Sequence, residues 1–398
     1  MEVIEKREAW NKGKLVGQKP PLKPKDIWRR ARAREPGSCT FGAWRKGEPR
    51  GERRKAHRMS EIYTQPITEP CAWSRADVAG TDDWQHELTG AEIDDLDRAL
   101  KGIRNPGCRL INITRNDFPL PVLASRLAEV ERDVRVGRGF FLLRGIPVER
   151  YTDDEVLLLK WGIGTYLGRA ISQNVYGDML GHVFDHGNED PTAVRTRGYQ
   201  TSAGLDLHVD RADMTSLLCL RQGRSGGISR IVSSMSVHNA VLAEAPDMLP
   251  PLYEGLPYIT TEANGPVEIW NGPVFDVTDG VLSCSFRRGT IQKAIDFPGV
   301  ETPPEKLSAL ACIDRVMNDP KLVYEMELRP GDIQFVNNYT VLHGRTAFTD
   351  DADRSRKRHV VRLWLQFFTP RAASAYIRDQ YKGIAKTLDQ NPVGYRTQ

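Results

Sequence analysis

The chain has 398 residues, a mass of 44.9 kDa and a formal net charge of +4 at pH 7. This length is enough for one large domain or two moderate ones with a well-buried core. No apolar run approaches the roughly 18 residues of a membrane-spanning helix, and the N-terminus lacks the apolar core of a secretory signal, so the sequence predicts a cytoplasmic protein.

Basic residues are concentrated at the start of the chain. Residues 1–58 carry 18 Lys and Arg against 7 Asp and Glu, a net charge of +11, whereas the rest of the chain has a net charge of −7. This segment is rich in Pro and Gly and has few periodic apolar positions. We therefore expect a disordered basic extension ahead of a folded domain at residues 59–398. Nucleic acid is not an expected partner, because such charge runs are usually just solvated.

The extension has a further feature that concerns where the natural protein begins. Residues 9–28 resemble the opening of phage-type integrases, but nothing like the integrase catalytic domain follows them. This favours Met59 as the natural initiator.

The six cysteines are widely scattered and include no C-x-x-C pair. This spacing predicts neither a disulfide framework nor a cysteine zinc site. We expect reduced and mostly buried thiols.

Two helices are predicted from their N-terminal signals. Thr89 with Glu92, and Thr152 with Glu155, have the spacing of a capping box ahead of a helical period. We expect the second of these helices to end near Gly168.

Short apolar runs dominate the chain after residue 135, and they predict strands in "VGRGFFLLRGIPV" (136–148), "MTSLLCLRQ", "ISRIVSS", "KLVYEMEL", "IQFVNN" and "RHVVRLWLQFF". A small turn is expected around Gly226-Gly227 and a two-residue hairpin turn at Asp279-Gly280. A helix is expected over "PPEKLSALACIDRVM" (303–317). Many short strands, with helices mostly before them and in one insert, favour an antiparallel double sheet such as a jelly roll.

The stretch "GLDLHVDRAD" holds the first candidate site residues. Apolar residues alternate there with Asp206, His208 and Asp210, which is the period-2 pattern of a half-buried strand. His208 and Asp210 should therefore point to one face and form half of a metal site. An ordinary surface strand would show the same pattern. A third ligand is therefore needed to distinguish a metal site from such a strand.

His343 is the strongest candidate for the third ligand. It follows an apolar strand in "GDIQFVNNYTVLHGR", where a side chain can leave the sheet edge and reach a pocket. His182 and His186 form an i, i+4 pair that would bind zinc if helical, but Gly181 and Gly187 favour a loop. The remaining histidines lie in the basic tail, in a polar stretch or inside predicted elements: His57, His86, His238 and His359.

Four motifs in order resemble the TauD/TfdA family of Fe(II)- and 2-oxoglutarate-dependent dioxygenases. They are "LHVD" (207–210), "GGISRIV" (226–232), "RPGDIQFVNNYTVLHGR" (329–345) and "KRHVVRLWL" (357–365), and the similarity covers roughly residues 135–370. The resemblance implies a mainly β fold with flanking helices, a double-stranded β-helix (jelly roll) of the clavaminate synthase-like type. It also implies hydroxylation of a small organic substrate with release of succinate and CO2.

The resemblance assigns the metal ligands to His208, Asp210 and His343, with Fe²⁺ as the metal and 2-oxoglutarate and O2 as co-substrates. Two imidazoles and one carboxylate on one face of an octahedron leave adjacent positions open on ferrous iron, as non-haem oxygenases require. Zinc is more typically closed by four ligands or left tetrahedral with one water.

The resemblance also implies a set of residues for the anionic partners. Arg358 would bind the distal carboxylate of 2-oxoglutarate through a bidentate fork, with the Ser229 hydroxyl assisting it. Arg362 matches a second arginine that in some members contacts an anionic substrate, and its spacing from Arg358 places both on one face of a strand. The preceding loop is a few residues longer than in the taurine enzyme, so Arg354 and Arg356 are alternatives to Arg358.

Two other function classes are open at this point. The first is a jelly-roll protein that binds metal and 2-oxoglutarate but does not turn over. Stoichiometric binding of 2-oxoglutarate without any decarboxylation would favour it. A basic-tailed nucleic-acid binder would lose DNA affinity steeply with salt and on deletion of residues 1–58. The sequence identifies neither the substrate nor the oligomeric state, and a homo-oligomer fits it as well as a monomer.

Overall fold

The computed structural model of the protein describes residues 60–103, 110–187, 193–194, 196–260 and 267–384. The basic segment 1–58 lies outside these ranges, and its predicted disorder stays a prediction. None of the helices within the described ranges combines the length and apolar character that crossing a membrane requires.

Short strands outnumber helices in the described ranges. The helices are α1 (Arg75–Ala79), α2 (Gly90–Gly102), α3 (Ala124–Val136), α4 (Asp153–Gly164), α5 (Ser234–Glu244), α6 (Leu249–Glu254), α7 (Arg288–Ile295), α8 (Pro304–Met317) and α9 (Ala375–Gln380). The strands are β1 (Gln85–Glu87), β2 (Phe140–Arg144), β3 (Arg169–Ala170), β4 (Leu180–Val183), β5 (Leu205–His208), β6 (Met214–Arg221), β7 (Ser225–Gly226), β8 (Ser229–Ser233), β9 (Leu256–Ile259), β10 (Ile269–Gly272), β11 (Phe275–Thr278), β12 (Val281–Cys284), β13 (Tyr324–Met326), β14 (Ile333–Asn337), β15 (Val341–Arg345), β16 (Phe348–Thr349) and β17 (His359–Gln366).

Two sheets form the framework. The major sheet has the order β1-β2-β14-β6-β17, with β3 and β4 both paired to the far side of β17, and the minor sheet has the order β13-β8-β15-β5. Apart from the parallel pair of β1 and β2, the pairs within both sheets are antiparallel. The core strands β5, β6, β8, β14, β15 and β17 alternate between the minor and major sheets along the chain. This alternation is that of a double-stranded β-helix and confirms the predicted jelly roll.

Strand β2 shows how the sequence sets the layers. Phe140 and Leu142 belong to the apolar cluster between the two sheets, together with Ile231 of β8. Phe141 and Leu143 belong instead to the larger cluster that includes the buried face of α3. Because both faces of the strand are covered, its sequence is a continuous apolar run rather than an alternating one.

The structure confirms the predicted starts of both helices and corrects the predicted end of the second one. The side chains of Thr89 and Thr152 form the predicted capping boxes at the N-termini of α2 and α4. Helix α4 ends at Gly164, one turn earlier than the predicted end near Gly168. The Thr165 hydroxyl donates to the Gly162 carbonyl at 2.6 Å, and the chain turns there to bring β3 alongside β17. The predicted helix over 303–317 is confirmed by α8.

The Asp279-Gly280 turn is confirmed as a two-residue hairpin between β11 and β12. Thr278 pairs with Val281, and φ is 53° at Asp279 and 76° at Gly280. Positive φ at both central residues defines a type I′ turn, for which Asp-Gly is a preferred pair.

The stretch "GHVFDHGNED" begins with a strand rather than the predicted loop. His182 lies in β4, with its Nδ1 2.7 Å from Nε2 of His359 on β17. Gly181 fits the strand because a Cβ there would lie 2.5 Å from the Gln173 side chain. His186 lies after the strand, so the two residues do not form the helical i, i+4 zinc pair.

An insert between β8 and β13 covers the outer face of the minor sheet. It contains α5 to α8 and two hairpins, β9 with β10 and β11 with β12. Val232 and Leu342 of the minor sheet share one apolar cluster with Met235 and Val237 of α5. The segment of the insert between β12 and α7 reaches the end of β5, where Arg287 forms an isolated antiparallel bridge with His208.

Candidate active site

The three side chains predicted to bind metal come together in the structure. His208, the last residue of β5, pairs with His343 of β15, and their ring centroids are 4.5 Å apart. Asp210 carboxylate oxygens lie 3.9 Å from Nε2 of His208 and 3.6 Å from Nε2 of His343. The three ligand atoms lie within 4.8 Å of one another, and no other His, Cys, Asp or Glu group in the described ranges has this arrangement.

The protonation of His208 suits a metal ion. His208 Nδ1 is 2.8 Å from the carbonyl oxygen of Asp206, which places the proton on Nδ1 and leaves Nε2 free to bind a metal. Burial, and then the neighbouring His343, lowers the pKa of His208 to about 4, so its imidazole is neutral at pH 7. Imidazole nitrogens beside a carboxylate oxygen are a donor set that suits ferrous iron.

Asp210 is held by residues that the sequence did not reveal. Thr215 Oγ1 donates to Asp210 Oδ2 at 2.9 Å, and Trp364 Nε1 donates to the same oxygen at 2.8 Å. The backbone N–H of Asp210 donates to Asn338 Oδ1 at 2.9 Å, and Asn338 Nδ2 donates to Thr215 Oγ1 at 3.0 Å. The period-2 pattern of β17 is the sequence signal that places Trp364 on the same face as Arg362.

Arg362 lies beside the predicted metal ligands. Its Nη1 is 3.3 Å from Asp210 Oδ1, and its Nε donates to Gln173 Oε1 at 2.8 Å. Burial by itself would raise the pKa of Asp210, but the Arg362 guanidinium together with His343 and His208 holds that pKa well below its usual range. Arg362 therefore contributes to keeping Asp210 ionised.

Arg358, directly before β17, is buried with an unsatisfied donor. Its guanidinium lies 5.1 Å from the Phe348 ring centre, and its buried Nη1 has no hydrogen-bond partner among the described residues. Gly227 has a φ of +70°, and a Cβ there would lie 2.9 Å from Arg358 Nε, so this glycine leaves room for the guanidinium. A buried cation without a partner is unfavourable unless an anion completes it.

The other predicted residues of the co-substrate site have partners of their own. Ser229 is buried on β8 and donates from its hydroxyl to Gln334 Oε1 at 3.0 Å. Arg356 has a side chain that is 72% exposed and pairs with Asp351 at 3.4 Å, so it is no competitor for a buried role. The side chain of Arg354 lies outside the described part of the chain.

A cavity of about 250 Å³ opens beside His208 and Asp210. Among the described residues, two carboxylates line it, Asp206 and Asp210. The cationic side chains of the lining are Arg197, Arg211, Arg287, Lys293 and Arg362. The larger apolar and aromatic side chains of the lining are Tyr199, Leu205, Ile259, Trp270, Trp364 and Ile384. This surplus of positive charge attracts anions.

Residues 105–364 match the profile of the family described as "Taurine catabolism dioxygenase TauD, TfdA family". The chain belongs to this family. This TauD/TfdA protein is 31% identical to "FR-33289 synthase" of Streptomyces rubellomurinus (strain ATCC 31215) over 312 residues, 77% of this chain and 92% of that protein. It is 27% identical to "Taurine hydroxylase-like protein SAT17" of Stachybotrys chartarum (strain CBS 109288 / IBT 7711) over 310 residues, 75% of this chain and 79% of that protein.

Solved structures share the fold of this TauD/TfdA protein. Asparagine oxygenase, in complex with Fe(II), 2S,3S-3-hydroxyasparagine and succinate, has a TM-score of 0.56 at 18% identity over 71% of this chain and 93% of that chain. The non-heme iron oxygenase OrfP, in complex with Fe and alpha-ketoglutaric acid, has a TM-score of 0.54 at 15% identity over 71% and 94%. At these identities the likeness establishes the jelly-roll fold.

The family and the His-Asp-His group together establish the reaction class. The TauD/TfdA protein is a non-haem dioxygenase that uses Fe²⁺, 2-oxoglutarate and O2 and oxidises a small organic substrate with release of succinate and CO2. It is therefore an oxidoreductase and not the non-catalytic jelly-roll protein considered from the sequence.

Proposed function

We propose that this dioxygenase hydroxylates a small anionic molecule at an iron held by His208, Asp210 and His343. The observation that carries the proposal is the convergence of their three ligand atoms within 4.8 Å in the described part of the chain. Ferrous iron bound there supplies the activation of dioxygen and the oxidative decarboxylation of 2-oxoglutarate. The protein orients the reactants and excludes water.

Two of the three ligands, His208 and Asp210, are prepared for this role by their neighbours. The Asp206 carbonyl fixes the tautomer of His208, and Trp364 and Thr215 fix the carboxylate of Asp210. Such partners of ligating side chains set the orientation and the basicity of the ligands. With three protein ligands on one side, the remaining positions stay open for the keto acid and dioxygen.

Arg358 is proposed as the residue that binds the distal carboxylate of 2-oxoglutarate. Its support is the buried Nη1 without a partner, together with the space that Gly227 leaves beside Nε. A carboxylate would accept hydrogen bonds from this guanidinium and neutralise it. Ser229 is proposed as an assisting hydroxyl, although in the described structure it donates to Gln334.

An anionic substrate is proposed from the charge of the cavity. The described residues of its lining include five cationic side chains and two carboxylates, and one of the carboxylates is the proposed iron ligand Asp210. The volume of about 250 Å³ lies below the range of roughly 300–1,000 Å³ for drug-sized ligands, which favours a small molecule. The name of the relative SAT17 refers to taurine, a sulfonate, which agrees with an acidic substrate.

The proposed function is tested by measuring succinate formed from 2-oxoglutarate with Fe(II) and ascorbate. The assay is run with a panel of sulfonates, carboxylic acids, amino acids and aryloxy acids, and with neutral amides of the same carbon skeletons. We expect an acid to stimulate succinate release and its amide to have no effect. Stimulation by the neutral compounds alone would refute the substrate class.

The iron site is tested with the double variant His208→Ala and Asp210→Ala. We expect it to lose iron binding and succinate formation, whereas His86→Ala retains both. His86 is paired with Glu92 at 2.9 Å and does not line the cavity, so it controls for the loss of a histidine. Iron binding that survives the double variant would show that the site is wrong.

Three features of the protein rest on the sequence alone. A cytoplasmic location is proposed from the globular composition of the chain. The boundary between a basic extension at 1–58 and a dioxygenase domain at 59–398 is proposed from the charge difference. We also propose that the protein can assemble into a homo-oligomer. Analytical ultracentrifugation, which measures the mass of the assembly, tests this.

A further inference from the structure

The cavity contains a second buried arginine that the proposed chemistry does not use. Arg287 lies between β12 and α7, and it is only 9% exposed. Its backbone forms an isolated antiparallel bridge with His208, next to a 2.8 Å hydrogen bond from Val209 N–H to the Phe286 carbonyl. The insert therefore places Arg287 directly beside a proposed iron ligand.

The surroundings of Arg287 orient its side chain without neutralising it. Its guanidinium carbon lies 4.7 Å from the centre of the Tyr258 ring, and the Tyr258 hydroxyl donates to the Ser285 carbonyl at 2.6 Å. Its Nη1 is buried and has no hydrogen-bond partner, and no carboxylate of the described residues forms an ion pair with it. A desolvated cation in this state is stabilised by an anion, and the described residues supply none to it.

Its neighbour in the sequence shows the contrast. Arg288 points its Nε at Asp314 at 2.6 Å and donates from Nη1 to Gln292 at 2.8 Å. Arg362 is likewise engaged, with Asp210 and Gln173. Among these three arginines, Arg287 is the one that lines the cavity with an unpartnered donor.

We propose that Arg287 binds the anionic group of the substrate, while Arg362 acts as a positioning residue for Asp210. This inference rests on the proposed function. The ligand class is a carboxylate, sulfonate or phosphonate, because each offers two oxygens to the two parallel N–H donors of a guanidinium. Lys293 lines the same cavity and donates to the carbonyls of Ala193 and Thr196 at 2.7 Å, so it adds positive charge to the same region.

The position of Arg287 also sets the wall of the cavity that the anion contacts. Arg287 lies directly opposite His208 in the isolated antiparallel bridge, and such paired residues have Cα atoms roughly 4.5–5.5 Å apart. Both residues line the cavity, so the anchored group lies on the same wall as the proposed ligand His208.

The test compares the wild type with Arg287→Gln and with the matched control Arg288→Gln. Each protein is loaded without oxygen with Fe(II) and 2-oxoglutarate, and the visible charge-transfer band of that complex is titrated with four probes. The probes are butyrate, 1-propanesulfonate, n-propylphosphonate and the neutral butyramide. Loss of a charge-assisted pair changes affinity on the order of tenfold or more.

We expect at least one acid to bind the wild type and Arg288→Gln about tenfold more tightly than butyramide does, and Arg287→Gln to lose this preference. Arg287→Lys keeps the charge but lacks the two parallel N–H donors of a guanidinium, so its affinity for the acid should fall several-fold. This variant gives a second test if Arg287→Gln does not fold. A preference that persists in both Arg287 variants, or no preference in the wild type, overturns the inference. Failure of the wild type to form the Fe(II) and 2-oxoglutarate complex would instead refute the proposed function.

Discussion

Trp364 donates a 2.8 Å hydrogen bond from its indole nitrogen to the carboxylate of Asp210. The two residues are 154 positions apart in the sequence, and the contact joins β17 of the major sheet to the end of β5 in the minor sheet. The proposed metal ligand is thus fixed from the opposite wall of the jelly roll.

Removal of this hydrogen bond is expected to weaken iron binding. Trp364→Phe keeps a large apolar side chain in the buried position but loses the N–H donor, and loss of such a partner typically lowers metal affinity by about 10–100-fold. The measurement is an anaerobic Fe(II) titration. Trp161→Phe is the control, because its indole donates at 2.9 Å to the Ile113 carbonyl and does not contact the site. Equal iron affinity in Trp364→Phe and wild type would contradict the role of Trp364.

Replacement of Arg358 should weaken the binding of 2-oxoglutarate more than the binding of iron. Arg358→Gln removes the proposed partner of the distal carboxylate, so KM for 2-oxoglutarate should rise by about 10–100-fold with Fe(II) affinity little changed. The control is Arg356→Gln, since that exposed arginine pairs with Asp351 at the surface. Unchanged KM in Arg358→Gln, or an equal rise in Arg356→Gln, would count against the assignment.

Lys160 should make stability depend on pH. This lysine is fully buried between α4 and β6, where its amine donates to the Ser216 hydroxyl, and burial holds its pKa well below the usual value. Between the folded pKa and the unfolded pKa of about 10.4, the unfolded chain binds more protons, so the free energy of unfolding rises with pH by up to about 1.4 kcal/mol per unit. Stability from this group is lost as pH falls through that window.

The variant that tests this is Lys160→Met combined with Ser216→Ala, which removes the amine and its acceptor together. We expect its stability, from urea denaturation between pH 7 and pH 9, to gain less with rising pH than that of the wild type. Lys101→Met, at an exposed position of α2, should keep the wild-type slope. Parallel curves for the double variant and wild type would show that Lys160 is charged in the folded protein.

Two glycine substitutions should have opposite signs. Gly280→Ala places a Cβ at a φ of +76° in the β11–β12 turn, and it should destabilise the protein by about 1 kcal/mol although the space around it is open. Gly102→Ala lies in the last turn of α2 with open space around it, and it should stabilise by roughly 0.5–1 kcal/mol. Thermal unfolding of both variants checks this, and a stabilised Gly280→Ala would be inconsistent with the turn.

Local patterns allowed much of the fold and part of the site to be predicted. The capping residues of α2 and α4, the Asp279-Gly280 turn and the apolar run of β2 each act over a few residues, so the sequence reports them directly. The His208 and Asp210 pair was also visible, because the period of a strand is fixed. Their partner His343 came from its position after an apolar strand and from the resemblance to a family.

The remaining features depend on contacts between distant parts of the chain. Strand β4 was missed because Gly181 looks like a loop signal, although the glycine is required by the close approach of Gln173. Asn338 is 128 residues from Asp210, and only the folded β14–β15 connection brings the two together. Arg287 belongs to an insert with no recognisable motif, and its bridge to His208 exists only in three dimensions.

The most direct test of the account is a crystal structure of the protein with Fe(II) and 2-oxoglutarate, prepared without oxygen. We expect the metal to bind Nε2 of His208, Nε2 of His343 and a carboxylate oxygen of Asp210 at distances of about 2 Å, with the distal carboxylate of 2-oxoglutarate on the Arg358 guanidinium. Iron bound away from these three side chains, or the distal carboxylate seated on Arg287, would contradict it.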